Sequence, residues 1–276
     1  MDTIKPKVLK ISSENQWFQR AEALKRSRKK RQQCRQFLVE GVQSINQLVA
    51  NDGWNVEAIL YAAERRRSNW AQGIIANSQA RWHLEFTEGL LAKLSEKEEP
   101  SELLAIVEMP TDDLSRVPAR ENALIVLVDR PQSPGNLGTI IRSCEALGVH
   151  GMIITGHATD LFDQRTIRAT AGSFFALPAV RVASHTVFET WLNAIRPKFP
   201  ELQVVGTSAH AQIQVASCDF TRPTILVVGN EARGLSRWFQ EFCQPVVAIS
   251  MTGSTRSLNV ACATTAILYE IQRQRS

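Results

Sequence analysis

The sequence predicts an α/β protein in two parts: an N-terminal α/β unit, then a C-terminal open parallel sheet with helices on both faces. Three observations carry that expectation. Short apolar runs alternate with helical stretches through the second half, the pattern of a sheet covered on both faces. The run "ALIVLVDR" is continuously apolar until it ends in charge, as a parallel strand buried on both sides must be. Between the halves, "PTDDLSRVPARENA" holds two prolines, several charges and little apolar content, which reads as a connector. The domains are expected at residues 1–112 and 122–276, joined by a linker at 113–121.

In the first half, "NQWFQRAEALKRSRKKRQQCR" reads as a helix and "QFLVEG" as a short strand ended by Gly41. "VQSINQLVAND" places Val42, Ile45, Leu48 and Val49 at helical spacing. "VEAILYA" is a strand, "NWAQGIIANSQ" a helix, "RWHLEFT" a strand, "EGLLAKLSEKEE" a helix and "ELLAIVEM" a closing strand. In the second half the strands are "ALIVLVD", "GMIITG", "ALPAVRV", "QVVGTS", "TILVVGN" and "PVVAISM". The helices between them are "NLGTIIRSCEALG", "DQRTIRATAGSFF", "TVFETWLNAIRPKF" and "GLSRWFQEFC", and an apolar helix follows Asn259.

Composition narrows the class. The 276 residues are 44% hydrophobic, ordinary for a globular chain with a substantial core. No apolar run is long enough for a membrane span, and "MDTIKPKVLKISSENQ" lacks the apolar stretch of a secretory leader. Cys34, Cys144, Cys218, Cys243 and Cys262 are odd in number with no CxxC pair, which points to a reduced, cytoplasmic setting and away from a zinc ribbon. The net charge is +5 and is concentrated: "KRSRKKRQQCR" gathers Arg28, Lys29, Lys30, Arg31 and Arg35. Such a run is either a solvated helix face or a grip on phosphates.

In open parallel sheets, ligands sit beyond the carboxyl ends of the strands, so the segments following them carry the chemistry. After "ALIVLVD", Asn136 stands at a helix start and Arg142 nearly two turns later on roughly the same face. After "TILVVG" comes Asn230-Glu231, with Gly229 permitting a close backbone approach. After "PVVAIS", a polar loop leads to Ser257-Leu258-Asn259, where Ser and Asn suit a helix cap. Each segment alone also reads as a cap or tight turn with incidental polarity. GxGxxG, GxxxxGK[ST] and HExxH are missing, and the five histidines show no metal-ligand spacing, so dinucleotide, P-loop and metal sites are not expected.

Together, "NLGTIIRSCEALGV", "LVVGNEARGLS" and "ISMTGSTRSLNVACATTAILYE" resemble, in order and spacing, the three signature motifs of the SpoU (TrmH-like) RNA ribose 2′-O-methyltransferases, members of the SPOUT superfamily. The resemblance spans about residues 121–276, and the first half looks like the substrate-binding domain often found ahead of this catalytic domain. It implies a parallel sheet whose C-terminal segment threads a deep trefoil knot, a topology otherwise nearly absent from proteins. It also implies S-adenosylmethionine as cofactor, a homodimer, no metal, and an RNA substrate, rRNA before tRNA. By motif position, Asn136, Arg142, Glu231, Ser257 and Asn259 match catalytic positions; Thr207, Gly229, Ile249 and Leu258 match the cofactor pocket. The basic cluster Arg28, Lys29, Lys30, Arg31 and Arg35 is assigned to RNA. The family assigns the motif-one arginine, here Arg142, as base; a guanidinium that stays protonated suits phosphate binding and alkoxide stabilisation. Ala261 departs from the serine common at that position. The alternatives are a tRNA ribose methyltransferase, a base-methylating relative, or a non-catalytic RNA-binding assembly factor.

Overall fold

The computed structural model describes residues 6–255 and 257–276; Met1–Lys5, the start of the segment read as lacking a leader, lie outside them. The first half runs β1 (Lys7–Ile11), α1 (Gln16–Arg26), α2 (Arg28–Cys34), β2 (Gln36–Glu40), α3 (Val42–Ala50), β3 (Val56–Ala62), α4 (Asn69–Asn77), β4 (Trp82–Phe86), α5 (Glu88–Leu94) and β5 (Leu103–Glu108). The second half runs β6 (Leu124–Asp129), α6 (Pro134–Ala146), β7 (Gly151–Thr155), α7 (Gln164–Ala169), β8 (Ala179–Val182), α8 (His185–Ile195), β9 (Gln203–Thr207), β10 (Ile213–Gln214), β11 (Thr224–Val228), α9 (Arg237–Phe242), β12 (Val246–Ala248) and α10 (Val260–Arg275).

Three elements differ from the sequence reading. The first long helix is two helices: Ser27 turns extended, ends α1, and its hydroxyl accepts from the Lys30 N–H to cap α2. Strand β1 has no counterpart in the sequence pattern, because "KVLKI" is an edge strand exposed at four of its five residues and shows no buried alternation. The two-residue β10 likewise leaves no mark in the sequence, being exposed at both positions.

The chain divides into two units. The first comprises residues 1–110 and 160–175, the second 111–159 and 176–276, so the backbone passes between them three times. The first unit has a mixed five-stranded sheet, ordered β1-β4-β3-β5-β2, with β5 antiparallel to both of its neighbours. Phe18, Ala21 and Leu24 of α1 pack on it beside Leu38, Leu60, Leu84 and Ile106. Residues 160–175, expected among the helices of the second half, join this unit as α7 and a 3₁₀ turn at Ser173–Phe175. Their apolar side chains explain it: Phe37 meets Phe162 at 5.0 Å and Phe174 at 5.9 Å between ring centroids, and Trp54 Nε1 donates to the Phe175 carbonyl at 3.0 Å.

The second unit holds a parallel seven-stranded sheet, ordered β10-β12-β9-β11-β6-β7-β8. Its central strands β6 and β11 are buried at every position, as their unbroken apolar runs require. Because every pair is parallel, the loops after β6, β9, β11 and β12 emerge at one end of the sheet.

Candidate active site

A cavity of about 840 Å³ opens beyond the carboxyl ends of β9, β11 and β12. All four residues assigned to the cofactor pocket line it: Thr207 from the end of β9, Gly229 from the end of β11, and Ile249 and Leu258 from the segment between β12 and α10. Thr207 is held by its hydroxyl, which donates to the Val227 carbonyl at 3.0 Å. Gly229 is there for space: a Cβ would lie 2.3 Å from the Gly234 carbonyl carbon and the Leu235 nitrogen, so any side chain would force the loop open. That loop, 230–234, closes on itself through reciprocal Asn230–Gly234 backbone bonds of 2.9 Å. The Asn230 Oδ1 accepts from the Ala232 and Arg233 amides, both at 3.0 Å, and Gly234 takes the positive φ of 62° that the turn needs.

The polar residues of the three motifs converge beside the cavity. Ser133 caps α6 by accepting from the Asn136 N–H, with Pro134 at the first helical position, where its missing donor goes unused. Asn136, on the first turn, donates from Nδ2 to Glu231 Oε1 at 3.2 Å. Glu231 also accepts from the Ser133 amide at 3.0 Å and the Gln132 amide at 3.1 Å. Asn259 closes the chain of contacts: its Nδ2 donates to Asn136 Oδ1 at 3.1 Å while its Oδ1 caps α10, accepting from Ala261 N at 2.8 Å. Partial burial pushes the Glu231 carboxyl up, but hydrogen bonds from its own amide and from Ser133, Asn136 and Gln132 outweigh that and hold it below the ordinary carboxylate value. Glu231 is therefore an ionised anchor near neutral pH, and a weaker base than an ordinary carboxylate. Ser257 lines the cavity two residues before Asn259.

Arg142 stands apart within the single chain. It is exposed on α6, outside the cavity wall, and among the described residues it makes no hydrogen bond or ion pair. Ala261 is buried, and its backbone N–H serves the Asn259 cap, so its position asks for a small side chain and gives a hydroxyl no evident task.

Two residues absent from the sequence reading hold the site's frame. Asp129, the last residue of β6, is 3% exposed, and Arg130 follows at φ 55°. The Asp129 carboxylate accepts from Thr155 Oγ1 at 3.1 Å, Arg130 Nη2 at 3.0 Å and the Ser236 amide at 2.7 Å. Burial, with the charge of Asp129 added, pushes the Cys243 thiol up to about 12. In the sequence, the only sign of this pair was an acid ending an otherwise apolar buried strand.

The basic cluster is split by the fold. Arg28, Lys29 and Lys30 are exposed on α2, as an RNA-facing role needs. Arg31 is a correction: it is 2% exposed, pairs with Asp160 at 2.7 Å and donates to the Leu24 carbonyl at 2.7 Å, so it is unavailable to phosphate. Arg35 closes α2 in the left-handed region at φ 53° and commits Nη2 to the Pro110 carbonyl at 2.6 Å, which makes it a tie for the chain more than a free cation.

The sequence profile of the SpoU rRNA Methylase family matches residues 123–269, and that of the SpoU L30e-like domain matches residues 15–105. A 23S rRNA (uridine(2479)-2′-O)-methyltransferase of Streptomyces viridochromogenes is 46% identical over 271 residues, 98% of this chain and 94% of the relative. The structure of the SpoU methyltransferase AviRb from the same organism, in complex with the cofactor AdoMet, superposes with a TM-score of 0.90 at 46% identity, over 95% of this chain and 98% of that one. An AdoMet-bound rRNA methyltransferase from Sinorhizobium meliloti superposes with a TM-score of 0.85 at 30% identity, over 96% of this chain and 98% of the other.

Proposed function

The chain belongs to the SpoU rRNA methylase family, and on that footing we propose that it is an S-adenosylmethionine-dependent methyltransferase acting on a ribose 2′-hydroxyl of ribosomal RNA. The observation that carries this reading is the meeting of the cavity with the Glu231–Asn136–Asn259 network at the carboxyl end of a parallel sheet.

The residues present fit the cofactor. The cavity falls within the roughly 300–1,000 Å³ of small-molecule sites. Its wall sets apolar Leu235, Ile249, Leu258 and Ile267 against the polar turn at 229–234, as an adenosine with a charged amino-acid tail requires. Thr207, Gly229, Ile249 and Leu258 would hold it. S-adenosylmethionine, when bound, supplies a methyl group on a sulfonium, an electrophile that needs no further activation. The chain's own task is then to bring the 2′-oxygen into line and manage its proton. Holding two reactants in near-attack geometry contributes about 7–11 kcal/mol in favourable cases. Asn136, Ser257 and Asn259 orient the ribose, and the anchored Glu231 keeps Asn136 and the start of α6 in place. Arg142 binds the neighbouring phosphate and stabilises the developing 2′-alkoxide.

That role for Arg142 needs the site to be completed by a second copy, since Arg142 stands outside the single-chain network. Exposed apolar side chains suit such a dimer: Leu258, in the cavity wall, is 46% exposed, and Tyr269, further along α10, is 63% exposed. We assign residues 1–112 to RNA binding through Arg28, Lys29 and Lys30, residues 113–121 to the linker, and residues 122–276, apart from the segment 160–175 that packs in the first unit, to methyl transfer, with the C-terminal segment knotted. An rRNA substrate puts this work in the cytoplasm.

Calorimetric titration with S-adenosylmethionine, followed by binding of protein-free rRNA and of tRNA, transfer of labelled methyl to each and mapping of alkali-resistant linkages, tests the reading. Cofactor binding with one new 2′-O-methyl position is expected. Cofactor binding with label only on tRNA would move the substrate class, and RNA binding without cofactor binding would leave an assembly factor.

A further inference from the structure

We infer that Asp129 and Arg130 form a clasp that fixes the shape of the cofactor loop 229–236 before any cofactor arrives. The inference rests on the cofactor reading above. Between residues 228 and 235 the chain forms one wall of the cavity. A loop of this kind would lose freedom on binding, and that ordering weakens affinity unless it has already been done. The structure shows how it has been done. From the acid, the carboxylate takes the Ser236 amide at 2.7 Å, which fixes the far end of the loop. From the base, Arg130 Nη2 spans the same carboxylate at 3.0 Å and the Gly234 carbonyl at 3.3 Å. The Arg130 carbonyl, in turn, accepts from Asn230 Nδ2 at 2.8 Å, which fixes the near end. One dipeptide at the end of β6 thus grips both ends of a loop about a hundred residues later in the chain.

The surroundings are built for this grip. The left-handed conformation of Arg130 turns its side chain back along Asp129, where an extended residue would point away. Gly156, at φ 68°, leaves room for it: a Cβ there would lie 2.7 Å from Arg130 Cγ. On its other side Asp129 is braced by Thr155 Oγ1, so the carboxylate cannot swing away from the loop. Neither Asp129 nor Arg130 lines the cavity, so both act through the loop, as positioning residues.

The test compares Asp129→Asn and Arg130→Met with Phe18→Leu, a core change on α1 in the first unit's own cluster, chosen to give a matched loss of Tm. Two readouts are taken: calorimetric affinity for S-adenosylmethionine, and amide hydrogen exchange across 229–236 in the cofactor-free protein. Expected are at least a tenfold weaker affinity and tenfold faster exchange of the loop in both clasp variants, with less than a threefold change in Phe18→Leu. In turnover, KM for the cofactor rises while kcat at saturating cofactor stays within threefold, a split that general loss of stability does not produce. Arg130→Lys, which keeps the charge against Asp129 but cannot span both acceptors, falls between Arg130→Met and wild type. Affinity and loop exchange within threefold of wild type in both clasp variants would overturn the inference, as would losses equal to those of Phe18→Leu. If Asp129→Asn does not fold, Arg130→Met decides. Failure of the wild-type protein to bind cofactor would strike the functional reading alone, because loop exchange still reports the clasp.

Discussion

At Glu231 one carboxylate collects two backbone amides and the Asn136 amide group, and that geometry makes its charge useful. Its folded-state pKa is depressed, so its contribution is complete above the ordinary carboxylate range and is lost as pH falls through the lowered value. Glu231→Gln should therefore weaken the acid-side pH dependence of stability, measured by denaturant unfolding from pH 7 downward. It should also lower kcat by about 10²-fold, the scale of misplacing a reacting group by 1 Å. Arg142→Lys is expected to leave cofactor affinity unchanged and to slow single-turnover methyl transfer at least tenfold, since an ammonium cannot hold phosphate and alkoxide in one planar fork. A near-normal rate would remove Arg142 from the chemistry. Asn136, Glu231 and Asn259 stand out in the sequence as polar side chains at strand ends and helix starts, but each also reads as a cap or turn, and only the resemblance of the three motifs groups them as one site. Arg31 could not: in "RSRKKRQQCR" no apolar residue marks which face of α2 turns inward, so a buried cation is indistinguishable from its solvated neighbours.

Helix α10 shows how one residue serves an element and a site together. Asn259 caps the helix through Oδ1 and reaches Asn136 through Nδ2. Asn259→Asp keeps the cap and places a negative charge at a helix start, where it is favourable, but it removes the donor to Asn136. It should leave Tm close to wild type while lowering kcat. Asn259→Ala loses both functions and should cost about 0.5–2 kcal/mol of stability besides. Thermal melts read beside single-turnover rates separate the two. Most strands of the second unit were legible, because burial on both faces writes itself as an unbroken apolar run. The exposed edge strand β1 and the two-residue β10 had no such mark, and the break between α1 and α2 hung on a single serine whose neighbours are all good helix formers.

Across the molecule, the segment 160–175 is the feature that the sequence concealed. Periodicity reports whether a residue is buried, not which core receives it, so Phe162, Phe174 and Phe175 read as part of the second half though they pack in the first unit. Arg31→Ala would leave Asp160 buried without its partner and should destabilise the protein by about 3–5 kcal/mol, measured by denaturant unfolding. Arg31→Met combined with Asp160→Leu should recover most of that loss. Lys29→Glu with Lys30→Glu, on the exposed face of the same helix, should leave stability and cofactor affinity alone. It should weaken RNA binding and flatten its dependence on salt; unchanged RNA binding would return those lysines to an ordinary solvated surface. The three passages of the backbone between units also set an order of events in synthesis. When residue 110 has left the ribosome, the first unit still lacks the acid for Arg31 and the rings for Phe37, both supplied by residues 160–175. Translation from residue 110 to 175 takes roughly 3–13 s at about 5–20 residues per second. Through that interval the N-terminal half waits with an unpaired cation and an open aromatic cleft, and it can close only after β6, α6 and β7 of the other unit have been made.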